Sequence, residues 1–170
     1  MADANAPAPA PADTQAIAAF WAEAQRARPD LKLGAVYRTA CIGTNAQTNA
    51  VILDLIIKGE KVGTFPLPRA LEKKGQPLPK PGDVTVQLDF DGKPRLLVRT
   101  TSLDVKPFKD IGPADTAIDG PKMRDPHAWR GVHIAHYTRL LAAVGLEFAE
   151  DMPVGVERFE FIYDGAKAPS

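Results

Sequence analysis

The sequence has little cysteine and no excess of charge of either sign. Cys41 is the one cysteine in 170 residues, so an internal disulfide is excluded and a reducing compartment is favoured. Lysine plus arginine and aspartate plus glutamate number 21 each, which gives a formal net charge of +0 at pH 7. A protein that wraps a long duplex must neutralise many phosphates, so this balance argues against that class. A local basic groove and a small-ligand pocket both stay open.

A long apolar run is also missing. No stretch approaches the roughly 20 apolar residues that a membrane-spanning helix needs. The N-terminus has no basic region followed by an apolar core, the pattern of a secretory signal. We therefore expect a cytoplasmic protein with no membrane partner. A hydrophobic content of 45% and a charged content of 25% are typical of a globular protein, and the length allows one domain with a sizeable core.

Composition changes along the chain predict the domain boundaries. Alternating alanine and proline over residues 1–12 cannot bury a core, which predicts a disordered tail. The folded domain is predicted over residues 13–164, and residues 165–170 are expected to be a loose C-terminus.

Apolar residues at helical spacing, each run preceded by a capping residue, predict three helices. Their caps are expected at Asp13 or Thr14, at Thr44 or Asn45, and at Asp125. The third helix carries the clearest apolar stripe, which also contains two histidines. The members of this stripe are Trp129, Val132, His133, His136, Tyr137, Leu140, Leu141 and Val144.

Alternating apolar residues predict the strands. Residues 84–90 read as a half-buried strand, and the Asp91-Gly92 turn leads into a return strand at about residues 95–105. Residues 154–163 form the predicted closing strand, in which we interpret Glu157-Arg158 as part of a sheet ion pair. This order of helices and strands favours an α+β fold, a small and mostly antiparallel β-barrel flanked by helices. No series of parallel βαβ units is visible.

A turn after the second predicted helix contains a cation and a hydroxyl between glycines. Its sequence is Gly59-Glu60-Lys61-Val62-Gly63-Thr64. Glycines allow a backbone to approach a ligand closely, and lysine and threonine supply ammonium donors and a small hydroxyl. By spacing alone, a solvated turn at the end of a helix is the more common interpretation.

Five segments in a fixed order give this turn a wider context. They are Gly59-x-Lys61-x-x-Thr64, residues 79–83, residues 99–108, the helix start Trp129-Arg130-x-Val132-His133, and residues 151–159. Their order and spacing resemble the ASCH domain, a member of the PUA-like superfamily, over roughly residues 14–163. The resemblance implies a PUA-like β-barrel with a cleft beside its helices, and binding of RNA or a nucleoside.

The resemblance also implies candidate catalytic residues. Family members that deacylate N4-acylated cytidines use the lysine and threonine of this turn with a downstream glutamate, which implies Lys61 and Thr64 here. The acid is placed at Asp119, whose side chain is one methylene shorter than the glutamate of the family. A desolvated Lys61 acts as base toward Thr64 or water, and Asp119 protonates the departing amine. A misplacement of about an ångström can reduce the rate roughly a hundredfold.

Other family members are ribonucleases that act on single strands, so single-stranded RNA is a more probable partner than duplex. Histidines on the long helix are candidates for the base of such a reaction, and a buried histidine bonded to a backbone carbonyl is the alternative. The candidate residues for binding RNA or a nucleoside are Tyr37, Arg38, Lys58, Lys61, Arg69, Arg99 and His133.

Three functional hypotheses follow. The first is an RNA- or nucleoside-binding domain with ribonuclease activity, and the second is an amidohydrolase specific for N4-acylcytidine. The third is a non-catalytic interaction domain, for which each cation is ordinary surface charge. We predict no metal ion and no other cofactor.

Overall fold

The computed structural model describes residues 7–167. The chain divides into two compact units. Unit 1 consists of Met1–Gly59, Gly82–Arg99 and Glu160–Ser170, and unit 2 consists of Glu60–Pro81 and Thr100–Phe159. Residues 1–6 of the predicted tail and residues 168–170 of the predicted loose C-terminus lie outside the described residues.

The described part of the predicted N-terminal tail makes backbone hydrogen bonds within unit 1. The Ala10 N–H donates to the Phe90 carbonyl at 2.9 Å, and the Asp13 N–H donates to the Gly92 carbonyl at 3.0 Å. At the other end, Gly165–Lys167 forms a single 3-10 turn. The domain boundaries stay predictions.

Residues 7–167 contain five α-helices, and a side chain caps the start of each of the three long ones. They are α1 (Thr14–Ala27), α2 (Ala46–Ile57), α3 (Pro68–Lys73), α4 (Pro113–Thr116) and α5 (Pro126–Ala142). Asp13 accepts a hydrogen bond from the Ala16 N–H at 2.9 Å, and Asn45 accepts one from the Thr48 N–H at 2.8 Å. Asp125 caps α5, whose first residue is proline. A proline fits there because the first N–H groups of a helix have no partner within it.

The strands form one five-stranded sheet. They are β1 (Arg38–Ala40), β2 (Gly63–Thr64), β3 (Val84–Leu88), β4 (Pro94–Pro107) and β5 (Pro153–Asp164), in the order β1-β3-β4-β5-β2. β3 pairs with β4 and β2 with β5 in antiparallel fashion, whereas β1 lies parallel to β3. The α+β class is therefore confirmed. No pairing of β1 with β2 closes the sheet within residues 7–167, so the barrel stays a prediction.

The prediction that β3 is half-buried is wrong. All five of its residues are buried. Val84, Val86 and Leu88 pack in the core of unit 1 with Ile17 and Trp21 of α1. The alternate residues, Thr85 and Gln87, are 7% and 4% exposed. Alternation separates the two faces of a strand, but it cannot show that both faces are covered.

Unit 2 has an aromatic core built on α5. Trp129, Tyr137 and Leu141 of that helix are buried, and they pack with Phe65 and Phe108. The predicted apolar stripe is wrong in one position, since Val132 is 51% exposed. In the described part of the chain, no helix combines the length and the apolar character needed to cross a membrane.

Candidate functional site

A buried ion pair lies at the centre of the candidate site in unit 2. Lys61 and Asp119 are each only 5% exposed, and the Lys61 ammonium donates to Asp119 Oδ1 at 2.5 Å. Buried charges are tolerated only when they are paired, so each side chain stabilises the other in this position. The structure therefore brings together two of the three predicted catalytic residues.

One backbone hydrogen bond and the side chain of Arg124 hold together the two segments that carry this pair. The Val62 N–H donates to the Ile118 carbonyl at 2.9 Å. The Arg124 side chain donates from Nε to the Asp119 carbonyl at 3.1 Å and from Nη2 to the Glu60 carbonyl at 2.7 Å. These contacts fix the segment around Lys61 against the segment around Asp119.

The electrostatics of the pair are set mainly by burial. Desolvation lowers the pKa of Lys61, and the carboxylate of Asp119 offsets part of this effect by favouring the charged ammonium. The Gly120 N–H also donates to Asp119 Oδ1, at 2.7 Å. One carboxylate oxygen therefore accepts from both donors, and it serves to hold the lysine.

Thr64 lies on β2, where it is half-buried. Antiparallel pairing places it directly opposite Glu157 of β5. Directly opposite residues project to the same face of a sheet, with Cβ atoms about 5 Å apart. Glu157 is 7% exposed and accepts a hydrogen bond from the Thr100 hydroxyl at 2.6 Å. Within residues 7–167 the Thr64 hydroxyl itself makes no hydrogen bond. At the neighbouring position 63, a Cβ atom would collide with the Glu157 carbonyl and the Ile118 side chain, which requires glycine there.

His133 on α5 is half-buried in the aromatic core of unit 2. Its ring stacks on the Trp129 indole with centroids 4.0 Å apart, and Nδ1 lies 2.8 Å from the Trp129 carbonyl oxygen. Because a carbonyl only accepts, Nδ1 carries the proton and Nε2 carries the lone pair. Burial lowers the pKa of His133 from 6.5 to about 4, and the charges of Asp119 and Lys61 act on it in opposite directions. His133 is therefore a neutral imidazole at neutral pH. Its hydrogen bond to the Trp129 carbonyl matches the alternative considered for the histidines of this helix, a buried histidine bonded to the backbone.

The chain matches the ASCH domain family model over residues 39–163. It belongs to the ASCH domain family. ASCH domains are PUA-like, so the resemblance inferred from the five segments is confirmed at the level of family and superfamily. No curated protein matches the chain in sequence.

Solved structures show the same fold. An ASCH domain from Lactobacillus crispatus JV V101 superimposes with a TM-score of 0.71 at 22% identity, covering 84% of this chain and 95% of its own. A DUF984 protein from Enterococcus faecalis V583 superimposes with a TM-score of 0.74 at 20% identity, covering 87% of this chain and 88% of its own. At these identities the similarity establishes the ASCH fold alone.

Two of the predicted ligand-binding residues lie on or next to β1 in unit 1 of this ASCH domain. Tyr37 is half-buried and packs against Trp21, with ring centroids 4.8 Å apart. Arg38 begins the strand and is also half-buried. Tyr37 therefore supports the core of unit 1, and its role as a stacking surface for a base stays a prediction.

The remaining predicted cations differ in their surroundings. In unit 1, Lys58 forms an exposed ion pair with Asp54 at 2.6 Å, and Arg99 donates to the Leu31 carbonyl at 2.5 Å. In unit 2, Arg69 is exposed on α3. Among the described residues, no group of three or more histidine, cysteine, aspartate and glutamate side chains is placed to share a metal ion.

Glu157 is the residue of the site that sequence reasoning missed. Arg158 of the predicted Glu157-Arg158 ion pair lies 3.9 Å from Asp104. Glu157 accepts a hydrogen bond from Thr100, which is far away in sequence. The available signal was an acid directly after Val154-Gly155-Val156 in a predicted strand.

Proposed function

We propose that this ASCH domain binds a nucleoside, or the base of a single-stranded RNA nucleotide, at the Lys61–Asp119 pair of unit 2. The observation that carries the proposal is the burial of this pair three residues from Thr64. Replacing a buried ion pair by apolar residues is often neutral for stability, so its presence favours a functional role. Lysine donates to a base carbonyl, carboxylate accepts from an amino or imino group, and a hydroxyl does both.

A single base suits the charges better than a long RNA strand does. The net charge is zero, and two of the candidate cations already have protein partners: Lys58 contacts Asp54, and Arg99 contacts the Leu31 carbonyl. A long strand needs a row of cations available to phosphates, with strong salt dependence. The proposed ligand is therefore a nucleoside or a short single-stranded segment.

Binding is tested by calorimetry with cytidine, N4-acetylcytidine and a short single-stranded RNA, each at two salt concentrations. Lys61→Met should lower the affinity at least about tenfold, since hydrogen bonds to charged groups contribute roughly 1.5–3 kcal/mol. Lys73→Met, an exposed lysine of α3 in the same unit, is the matched control and should bind as the wild type does.

Lys61→Met leaves Asp119 buried without its partner, so the variant can lose stability. Lys61→Met combined with Asp119→Leu replaces the whole pair by apolar side chains and should keep the fold. Wild-type affinity in this folded double variant would refute the site.

A specific observation favours hydrolysis at the same site as a second candidate function. Asp119 holds the Lys61 ammonium in place, and the half-buried Thr64 hydroxyl, three residues further along the chain, has no hydrogen bond within residues 7–167. Such a hydroxyl is available to a substrate. The candidate reaction is deacylation of N4-acetylcytidine to cytidine and acetate, in which the Lys61 ammonium stabilises the developing oxyanion.

Chromatography of the cytidine product tests this reaction. Thr64→Val should lower kcat/KM by about a hundredfold if the hydroxyl acts in the transition state. Thr101→Val is the control, since the Thr101 hydroxyl is exposed and donates to the Arg158 carbonyl. Equal activity of both variants would exclude Thr64 from the reaction.

Ribonuclease activity is the weaker form of the RNA hypothesis. Cleavage of RNA with a histidine pair needs one protonated partner near neutral pH. Burial lowers the pKa of both His133 and His136, which leaves both in the neutral form. Incubation of labelled single-stranded RNA with the wild type, followed on a gel, should show no cleavage, and a ladder of products would reverse this preference.

A further inference from the structure

Unit 2 contains a second buried acid on the face of the sheet that carries Thr64. Glu157 is 7% exposed and lies opposite Thr64 in the ladder between β2 and β5. The Thr100 hydroxyl donates to its Oε1 atom at 2.6 Å, which fixes the position of the carboxylate. The Thr100 hydroxyl therefore contacts this carboxylate, and Thr64 occupies the position directly across the ladder from Glu157.

Two further buried acids of unit 2 contact lysines. Asp119 Oδ1 accepts from both the Lys61 ammonium and the Gly120 N–H. Asp115 holds Lys106 with both oxygens, at 2.9 and 3.0 Å. Asp119 Oδ1 therefore serves to hold Lys61 in place, and Glu157 is a second buried acid available for the proton transfers of a hydrolysis.

We infer that Glu157 is the general base of the deacylation, with Thr100 as its positioning residue. The inference rests on the hydrolase function proposed above for the Lys61–Thr64 site. It also reassigns the proton transfer to the leaving amine, which the family resemblance placed at Asp119. The grounds are the register that aligns Glu157 with Thr64 and the contacts that occupy Asp119.

The reaction balances with water as the only co-reactant. Glu157 takes one proton from water as the water oxygen bonds to the acyl carbon, and Lys61 stabilises the resulting oxyanion. The bond between the acyl carbon and the exocyclic nitrogen then breaks. Glu157 returns its proton to that nitrogen, so the products are the carboxylic acid and the free amine.

Glu157→Gln tests the base directly. Glutamine keeps the size of the side chain and an oxygen that accepts from Thr100, so the fold and the affinity for cytidine should be unchanged. The kcat for N4-acetylcytidine should fall by about a hundredfold or more, the usual contribution of a general base. Glu160→Gln, an exposed acid on the same strand, is the matched control and should keep wild-type activity.

Thr100→Val separates positioning from a purely structural role. It keeps the charge of Glu157 and removes the hydrogen bond that orients it, so kcat should fall about tenfold while KM stays unchanged. If the glutamine variant fails to fold, as judged by its thermal transition, the valine variant decides the question. Wild-type kcat in either folded variant would overturn the inference.

The failure of the inference differs from the failure of the proposed function. An active wild type with an equally active Glu157→Gln variant overturns only the role of Glu157. A wild type that binds cytidine and never deacylates N4-acetylcytidine overturns the hydrolase function, and the inference with it. A wild type that binds none of the ligands refutes the proposed binding site, together with the hydrolase function and the role of Glu157.

Discussion

The two units of this ASCH domain bury different kinds of polar side chain. Among the described residues of unit 1, the buried polar side chains are all uncharged: Asn49, Thr85 and Gln87. In unit 2 they include four charged ones: Lys61, Asp115, Asp119 and Glu157. Burying a charge demands far more compensation than burying an amide or a hydroxyl. We therefore place the chemistry in unit 2 and assign the polar groups of unit 1 to folding.

The aromatic clusters of the two units also differ, since only the one in unit 2 contains an ionisable histidine ring. Unit 1 packs Trp21 against Tyr37 and Phe20 against Tyr163, and the other members of its buried cluster are aliphatic. Unit 2 stacks Trp129 on His133 and packs Phe65 edge-on against both rings, at centroid distances of 4.8 and 5.7 Å. An ionisable ring inside an aromatic cluster is held neutral by desolvation, so the stability of unit 2 should respond to pH.

The sharpest way to break this comparison is to remove one acid from an ion pair in each unit. Asp119→Ala leaves the Lys61 ammonium buried without its partner, and should lower the free energy of unfolding by about 3–5 kcal/mol. Asp54→Ala removes the exposed partner of Lys58 and should lower it by less than about 1 kcal/mol. Urea denaturation of both variants measures the difference. An equal decrease in the free energy of unfolding of the two variants would show that removing the acid from the buried pair costs no more than removing it from the exposed pair.

The next expected effect is an acid sensitivity that originates at His133 in unit 2. The pKa of His133 in the folded protein is about 4, below its ordinary value of 6.5. As the pH falls below 6.5, the unfolded chain therefore binds a proton that the folded protein does not bind, and stability decreases down to about pH 4. The complete difference corresponds to roughly 3 kcal/mol.

His133→Phe keeps an aromatic ring against Trp129 and should flatten this dependence, measured by urea denaturation at neutral and mildly acidic pH. His136 also has a pKa lowered by burial, so a smaller slope should remain. His127→Gln, at an exposed position on the same helix, should leave the slope as it is in the wild type. A slope unchanged by His133→Phe would mean that this ring titrates normally.

Local signals explain which parts of the fold the sequence could predict. The carboxylate of Asp125 with the following proline marks the start of α5, and Asp91-Gly92 marks the hairpin between β3 and β4, because these residues act within a few positions of themselves. β1 was missed because its three residues are defined by parallel pairing with β3, which places Thr39 beside Val86. The sequence of a three-residue segment does not indicate that it will pair with a strand more than 40 residues away.

The candidate site divides in the same way. The turn around Lys61 and the acid at Asp119 were found through the order of motifs along the chain. The contact between them joins residues 58 positions apart, and only the fold could show it. Glu157 was missed because its hydrogen bond to Thr100 and its register with Thr64 are both products of strand pairing. An acid on a strand indicates a functional site only when its neighbours on the adjacent strands are known.

The smallest expected effect tests the other half of the comparison, the purely structural role of polar groups in unit 1. The Asn49 amide donates to the Ile42 carbonyl at 2.8 Å and to the Leu88 carbonyl at 3.1 Å. Asn49→Ala leaves both acceptors without this donor and should lower the free energy of unfolding by about 1–3 kcal/mol. Affinity for cytidine should stay at the wild-type value, because the candidate site lies in unit 2. Gln47→Ala, exposed on the same helix, controls for helix propensity. A loss of affinity in the folded Asn49 variant would show that unit 1 takes part in binding, and the assignment of chemistry to unit 2 alone would be wrong.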